Sequence, residues 1–305
     1  MYQQHFGLSE FPFGLSPDTG YFFRYPDHQE ALNVLLVALR LGEGFIKVTG
    51  EVGTGKTLIC RKLLNTLSAE GMVTAYLPNP CLPATALRHA LADELGIQFA
   101  RNIGQHRVLK LINERLIQLR SEGRRVVVLL DEAQALPEES LEAIRLLTNL
   151  ETEKSKLLQV VLFGQPELNR QLEQPSVRQV KQRITFSYHL RPMSREGTAG
   201  YLRHRLKVAG CHQEALFSPG AVNALYRGSR GIPRLINILA HKSLLAAYGE
   251  GVKGVVRMHV RRAIADTEDT NGRHFSLRTF WYGLAGLSAS TAAGAGVYML
   301  IGVVG

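Results

Sequence analysis

Short runs of mostly apolar residues at 45–49, 73–77, 126–130 and 158–163, joined by a later one at 184–189, read as strands. Val126-Val127-Val128-Leu129-Leu130 is the clearest, unbroken and rich in branched side chains. A strand that is apolar at every position is buried on both faces, the pattern of a mainly parallel sheet with helices on each side. The segments between supply those helices, because apolar positions recur at helical spacing over 57–67, 83–95, 106–119 and 138–150. After Pro192 the strands stop, and 194–209, 219–227, 233–248 and 256–266 read as helices of a second, smaller domain. The pattern divides the chain into an N-terminal segment with a first helix (1–44), an α/β core (45–191), a helical domain (192–266), a linker (267–279) and a C-terminal apolar run (280–304).

That last run carries no charged residue, and it is long enough to cross a ~30 Å hydrocarbon core as a helix. Trp281, Tyr282 and Tyr298 sit towards its ends, as interfacial aromatics do. Arg273, His274 and Arg278 lie just before it, with Arg261 and Arg262 upstream, so the long N-terminal portion is expected on the cytoplasmic side of an inner membrane. Ala285, Ala289 and Ala293 recur every four positions, as do Gly286, Ser290 and Gly294, a spacing that suits close helix packing in lipid. A buried core helix is the competing reading, since these small residues lower the hydrophobicity. The N-terminus, Met1 to His5, has no basic region followed by an apolar run, so no secretory signal is expected.

Chemistry enters between the first core strand and its helix. Gly50, Glu51, Val52, Gly53, Thr54, Gly55, Lys56 and Thr57 fill every position of a G-x-x-x-x-G-K-[ST] phosphate loop. Glycines let the backbone curl so that successive N–H groups face inward at a helix start, where the dipole also favours negative charge. Lys56 is then placed to reach the β- and γ-phosphates of a nucleoside triphosphate, and Thr57 offers a hard oxygen to Mg²⁺. The buried strand 126–130 ends in Asp131-Glu132, at the sheet edge where α/β ligands gather. Asp131 is expected to hold Mg²⁺ through water, and Glu132 to polarise the attacking water. A turn that merely caps the next helix is the alternative.

Gln165 ends another strand at the same edge, where it either senses the γ-phosphate and orients water or is an ordinary polar residue before Pro166. Arg234 follows Gly231-Ile232-Pro233 at the start of a helix, where it either reaches back to the nucleotide or is solvated surface. Arg178, Lys181 and Arg183 cluster before the last strand. Arg183, which directly precedes it, is the candidate arginine finger for a neighbouring subunit's γ-phosphate, against a simple solvated basic face.

The net charge of +10 and isoelectric point near 9.7 point to an acidic partner such as nucleic acid or anionic lipid, although a basic nucleotide site adds to the same total. Cys60, Cys81 and Cys211 are scattered, which excludes a disulfide framework or a cysteine metal site and fits a reducing compartment.

Taken together, Gly50 to Thr57, Asp131-Glu132, Gln165, Arg183 and Gly231-Ile232-Pro233-Arg234 resemble an AAA+ ATPase. Phe6-Gly7-Leu8, Pro12-Phe13, Pro17-Asp18 and His28-Gln29-Glu30-Ala31-Leu32 narrow the resemblance to the ExeA/GspA family of secretion-system ATPases, and within it to the MshM-type branch of mannose-sensitive haemagglutinin (MSHA) pilus biogenesis. The resemblance implies a P-loop NTPase (AAA+) parallel-sheet core with a small helical lid domain, ATP and Mg²⁺ as ligands, and homo-oligomerisation. It also implies partners in a type IV pilus or type II secretion apparatus at the inner membrane. Tyr25 and His28 become candidates to wrap the adenine, His28 having the alternative of an exposed cap at a helix start. ExeA-type proteins carry a peptidoglycan-binding domain beyond their span, and related initiator-type ATPases carry a DNA-gripping winged helix after the lid. Neither is expected here, so nucleic acid is a possible but not favoured partner. A DNA-handling ATPase and a non-hydrolysing, nucleotide-gated scaffold are the rival functions.

Overall fold

The computed structural model describes residues 2–267 apart from 79, 101–102, 153–154 and 214. The apolar run 280–304 and its linker from residue 268 onward lie outside the described residues, among which no helix is long and apolar enough to cross a membrane.

Five strands, β1 (Phe45–Gly50), β2 (Val73–Leu77), β3 (Val126–Leu130), β6 (Leu158–Gly164) and β7 (Phe186–Leu190), form one parallel sheet in the order β2-β3-β6-β1-β7. A two-stranded antiparallel pair, β4 (Glu151–Thr152) and β5 (Ser155–Lys156), stands apart from it. Every residue of β3 and β6 is buried, as continuous apolar runs require of strands covered on both faces. Helices α2 (Pro26–Leu41) and α3 (Lys56–Ala69) pack on one face, where Leu35, Leu39, Ile59 and Leu63 meet Ile46, Val48 and Val161. Helices α4 (Ala84–Glu94), α5 (Gln105–Ser121) and α6 (Glu138–Leu147) cover the other. Helix α6 ends three residues earlier than its apolar pattern suggests, because Thr148 closes it by donating its hydroxyl back to the Arg145 carbonyl. Two short helices, α7 (Glu167–Gln171) and α8 (Arg178–Arg183), lead from β6 to β7.

The lid is built from α9 (Arg195–Val208), α10 (Pro219–Ser229), α11 (Pro233–Gly249) and α12 (Arg257–Ala265). Ser194 caps α9 by accepting from Gly197 N, and Ser218 caps α10 by accepting from Ala221 N, with Pro219 at the first helical position. The first helix of the chain, α1 (Tyr2–Phe6), belongs to this lid: Tyr2, Phe6, Leu8 and Phe13 share its core with Leu239, Leu244 and Val260. Hydrogen bonds fasten the arm further, from Tyr2 Oη to His241 Nδ1 (2.9 Å), from Ser9 Oγ to the Ala209 carbonyl (2.9 Å) and from Arg205 Nε to the Pro12 carbonyl (2.5 Å).

Candidate active site

The sheet order places β1 between β6 and β7, next to the point where the chain reverses its direction of strand addition, and ligands of open α/β sheets settle outside the carboxyl ends there. Register aligns those ends. Thr49 pairs with Gly164, Leu130 with Leu162 and Gly50 with Leu190, so the phosphate loop, Asp131 and Gln165 emerge side by side.

Within the loop, Lys56 is buried and donates Nζ to the carbonyls of Gly50 (2.8 Å) and Glu51 (3.0 Å). Burial lowers its pKa, an effect opposed by the nearby Glu132 and Asp131 carboxylates. The Asp131 carboxyl is also buried, which raises its pKa, while hydrogen bonds from the Thr57 hydroxyl and the Glu132 amide pull it down. Two hard oxygen donors, Thr57 and Asp131, thus already meet at the start of α3, and that donor chemistry fits Mg²⁺.

Glu132 occupies the left-handed region at φ 52°, ψ 39°, which costs a residue with a Cβ about 1–2 kcal/mol. Its side chain is held from two sides. Gln134 Nε2 donates to Oε2 at 2.6 Å, and Gln165 Nε2 donates to the same oxygen at 3.0 Å. Gln134 Oε1 in turn accepts from the main-chain N of Gln165 at 2.9 Å, closing a ring of hydrogen bonds among the three residues. Oε1 of Glu132 accepts no hydrogen bond among the described residues.

The lid forms the opposite wall. A cavity of about 400 Å³ is lined by the phosphate loop and Glu132 on one side and by Tyr201, Arg205, Arg234 and Asn237 on the other, with residues 14–18 of the arm between them. Arg234 N donates to the Gly53 carbonyl at 3.2 Å, and a Cβ on Gly53 would lie 2.6 Å from Arg234 Cβ. A glycine is therefore what lets the lid touch the loop. Arg205 is buried beneath the Tyr21 ring, 4.3 Å from its centroid, and ties the arm down through the carbonyls of Pro12 and Gly14.

His28 is not an exposed helix cap. It is buried in the first turn of α2 and donates Nε2 to the Thr54 carbonyl at 2.9 Å, propping the phosphate loop from behind, and burial keeps its pKa below the ordinary 6.5. Tyr25 packs edge-on against His28 and accepts from Ser194 N at 3.1 Å, linking the start of α2 to the start of the lid. Arg183 is the residue the fold does not bring to this site. It ends α8 at the opposite edge of the sheet, donating to Thr148 Oγ1 at 3.4 Å, and the length of β1, roughly 17 Å, separates it from its own phosphate loop. Arg178 and Lys181 are exposed on the same short helix.

Residues 39–172 match the family model described as AAA domain. Across 256 residues, 84% of the chain, the sequence is 48% identical to general secretion pathway protein A of Aeromonas hydrophila. The chain belongs to the ExeA/GspA family of AAA+ proteins. It spans 46% of that relative's length. Among solved structures, the Pyrobaculum aerophilum CDC6P protein superposes with a TM-score of 0.63 at 22% identity, covering 81% of this chain and 70% of that one. The Aeropyrum pernix ORC2 protein gives 0.60 at 16% identity, covering 86% and 73%. At those identities the likeness is one of fold.

In this ExeA/GspA-family chain the structure brings together the loop, Asp131, Glu132, Gln165 and Arg234, which the sequence singled out, and adds Gln134, which it did not. Its signal was local: two residues after Glu132, on the short 3₁₀ turn Ala133–Ala135 that folds its amide back onto the carboxylate. Tyr201, Arg205 and Asn237 were missed as well, because α9 and α11 reach the cavity only through the packing of the lid.

Proposed function

We propose that this chain is a membrane-anchored ATPase that binds ATP with Mg²⁺, hydrolyses it, and uses the cycle to assemble or remodel a type II secretion or type IV (MSHA) pilus complex at the inner membrane. The observation that carries the reading is the meeting of Lys56, Thr57 and a clamped Glu132 at one cavity whose far wall is the lid, with the buried Asp131 hydrogen-bonded to Thr57 behind it. The secretion assignment leans on the relative named general secretion pathway protein A, and the anchor on the uncharged run 280–304.

In this reading Lys56 exchanges the Gly50 and Glu51 carbonyls for the β- and γ-phosphates, a swap its three donors permit. Thr57 and Asp131 would hold Mg²⁺, which neutralises phosphate charge when bound. Glu132 accepts a proton from water through Oε1 while Gln134 and Gln165 fix its rotation. Arg234, on the lid and hydrogen-bonded to the loop, reports phosphate occupancy to the helical domain. Adenine lies towards residues 14–18, with Tyr25 and His28 acting behind the loop.

The test uses the full chain. Lys56→Ala is expected to lose nucleotide binding and turnover together, while Glu132→Gln retains ATP binding and loses ~10²-fold or more in turnover, the ordinary weight of a general base. Unchanged turnover in Glu132→Gln sinks Glu132 as the base, whereas secretion or piliation that survives in that variant while turnover vanishes sinks the motor reading in favour of a nucleotide-gated scaffold. Secretion and piliation that persist in cells carrying Lys56→Ala sink the pathway.

A further inference from the structure

Helices α10 and α12 lie side by side in the lid, and the seam between them opens as a groove of about 280 Å³. Arg227 of α10 and Arg257 and Arg261 of α12 line it, all three exposed. None of the three makes an ion pair or side-chain hydrogen bond among the described residues. Neither helix contains an acidic residue. The acids that flank α12 are already engaged: Glu250 by His259 and Arg262, and Asp266 by Lys242. Three like charges around one groove repel one another, and a bound anion relieves that repulsion. Guanidinium forks also match the paired oxygens of a phosphate.

The rest of α12 says what kind of anion. His259, Val260 and Ala263 are buried in the lid, so one turn of spacing puts Arg257 and Arg261 on the outer face, with Met258 exposed to 50% beside them. A cationic face that also shows an apolar side chain suits the headgroup region of an anionic membrane. Helix α12 is also the described element nearest in sequence to the uncharged run. Fourteen residues lie between Ala265 and Phe280, a stretch that reaches at most roughly 50 Å, and it carries Arg273, His274 and Arg278.

We propose that the Arg227, Arg257 and Arg261 groove binds the phosphate of an anionic phospholipid headgroup and so lays the lid against the inner membrane. This rests on the anchored reading above. It gives the lid, whose α11 begins with the nucleotide-facing Arg234, a second restraint, so that lid motion is referred to the membrane plane.

The experiment labels the full chain at Met258→Cys, in a Cys81→Ser and Cys211→Ser background, with a fluorophore quenched by nitroxide headgroups. The chain is reconstituted in discs of phosphatidylcholine alone or mixed with phosphatidylglycerol. Quenching is expected in the anionic discs only. It is expected to vanish when Arg227, Arg257 and Arg261 are all replaced by Gln, to persist when all three are Lys, and to leave ATP turnover unchanged in both variants. Incorporation into neutral discs reads the anchor separately. A chain that enters neither disc ends the anchored reading, and sedimentation with anionic vesicles then decides the groove, the Gln variant partitioning on the order of 100-fold more weakly if the proposal holds. Equal quenching in both discs, or quenching that survives the Gln substitutions, overturns it. So does inorganic phosphate or duplex DNA that abolishes the signal at the ionic strength of the control, since the ligand is then free phosphate or nucleic acid.

Discussion

At the scale of single residues, Glu132 combines a backbone cost with close side-chain support. A left-handed backbone at a residue with a Cβ persists only where its surroundings over-determine it, and here two amides grip the same carboxylate oxygen. Removing either amide frees the carboxylate to rotate without emptying the pocket. Gln134→Ala and Gln165→Ala are each expected to lower kcat ~10- to 100-fold with little change in ATP affinity, as misplacement of a base by about 1 Å does. Steady-state turnover measured beside nucleotide binding checks this, and equal losses in both quantities would mean the glutamines support the loop rather than Glu132. Gln165 was legible because it ends a strong apolar strand. Gln134 was not, since no periodic pattern marks a side chain that turns back on its own loop.

His28 adds a pH dependence. Its burial favours the neutral ring, which donates to the Thr54 carbonyl, and His204 and His241 are likewise held below 6.5 chiefly by burial. The unfolded chain therefore takes up protons before the folded one as the pH falls. Stability from these rings is complete above about 6.5 and drains away below it. Denaturant midpoints are expected to be flat above that point and to fall beneath it, with a shallower fall in His28→Gln, whose amide can still donate to Thr54. An identical acid slope in that variant excludes His28 as a contributor.

At the scale of elements, the continuous runs of β1, β3 and β6 were readable because full burial leaves no alternation to mistake. The run at 184–189 was shifted: β7 is Phe186–Leu190, a half-exposed edge strand whose polar positions Ser187 and His189 alternate with partly covered aromatics. The arm at the N-terminus was legible only as a family signature. Its packing partners are some 200 residues away in the sequence, and pairs such as Ser9 with Ala209 leave no local trace. The joint between α10 and α11 is Gly231, at φ +76°, where a Cβ would sit 2.0 Å from the carbonyl oxygen of Met193 at the start of the lid, and Met193 N already donates to the Gly231 carbonyl. Gly231→Ala combines left-handed strain with a backbone clash, so it is expected to cost ~3 kcal/mol or more. In a molecule of this size that lowers Tm by roughly 6–12 °C. Because Arg234 lies three residues on, nucleotide affinity should fall in the same variant. A wild-type melting curve would show that the joint is more pliable than its packing implies.

At the scale of the whole molecule, one chain brings the phosphate loop, Thr57 beside Asp131, and Glu132 to one end of the sheet, but the candidate finger Arg183 lies at the other end. Arg183 ends α8 beside the start of β1, and no rearrangement of a loop carries it past a buried parallel sheet to its own Lys56. To act as a finger from that edge, Arg183 would have to serve a neighbour, through a head-to-tail contact in which the lid side of one subunit meets the α8 side of the next. That arrangement has a signature no structural role shares. Lys56→Ala and Arg183→Ala subunits should each be inactive alone, the first lacking a loop that binds and the second lacking the charge it lends. Mixed in equal amounts, they restore any interface where an intact loop faces an intact arginine, about a quarter of interfaces on random assembly into a closed ring. Turnover that climbs on mixing towards that fraction, with Arg183→Lys recovering less than the native residue because it cannot match a planar phosphate contact, establishes action across the interface. A mixture as inactive as its components, while the subunits still co-assemble by light scattering, leaves Arg183 as a surface residue of α8 and requires the finger to come from elsewhere in the chain.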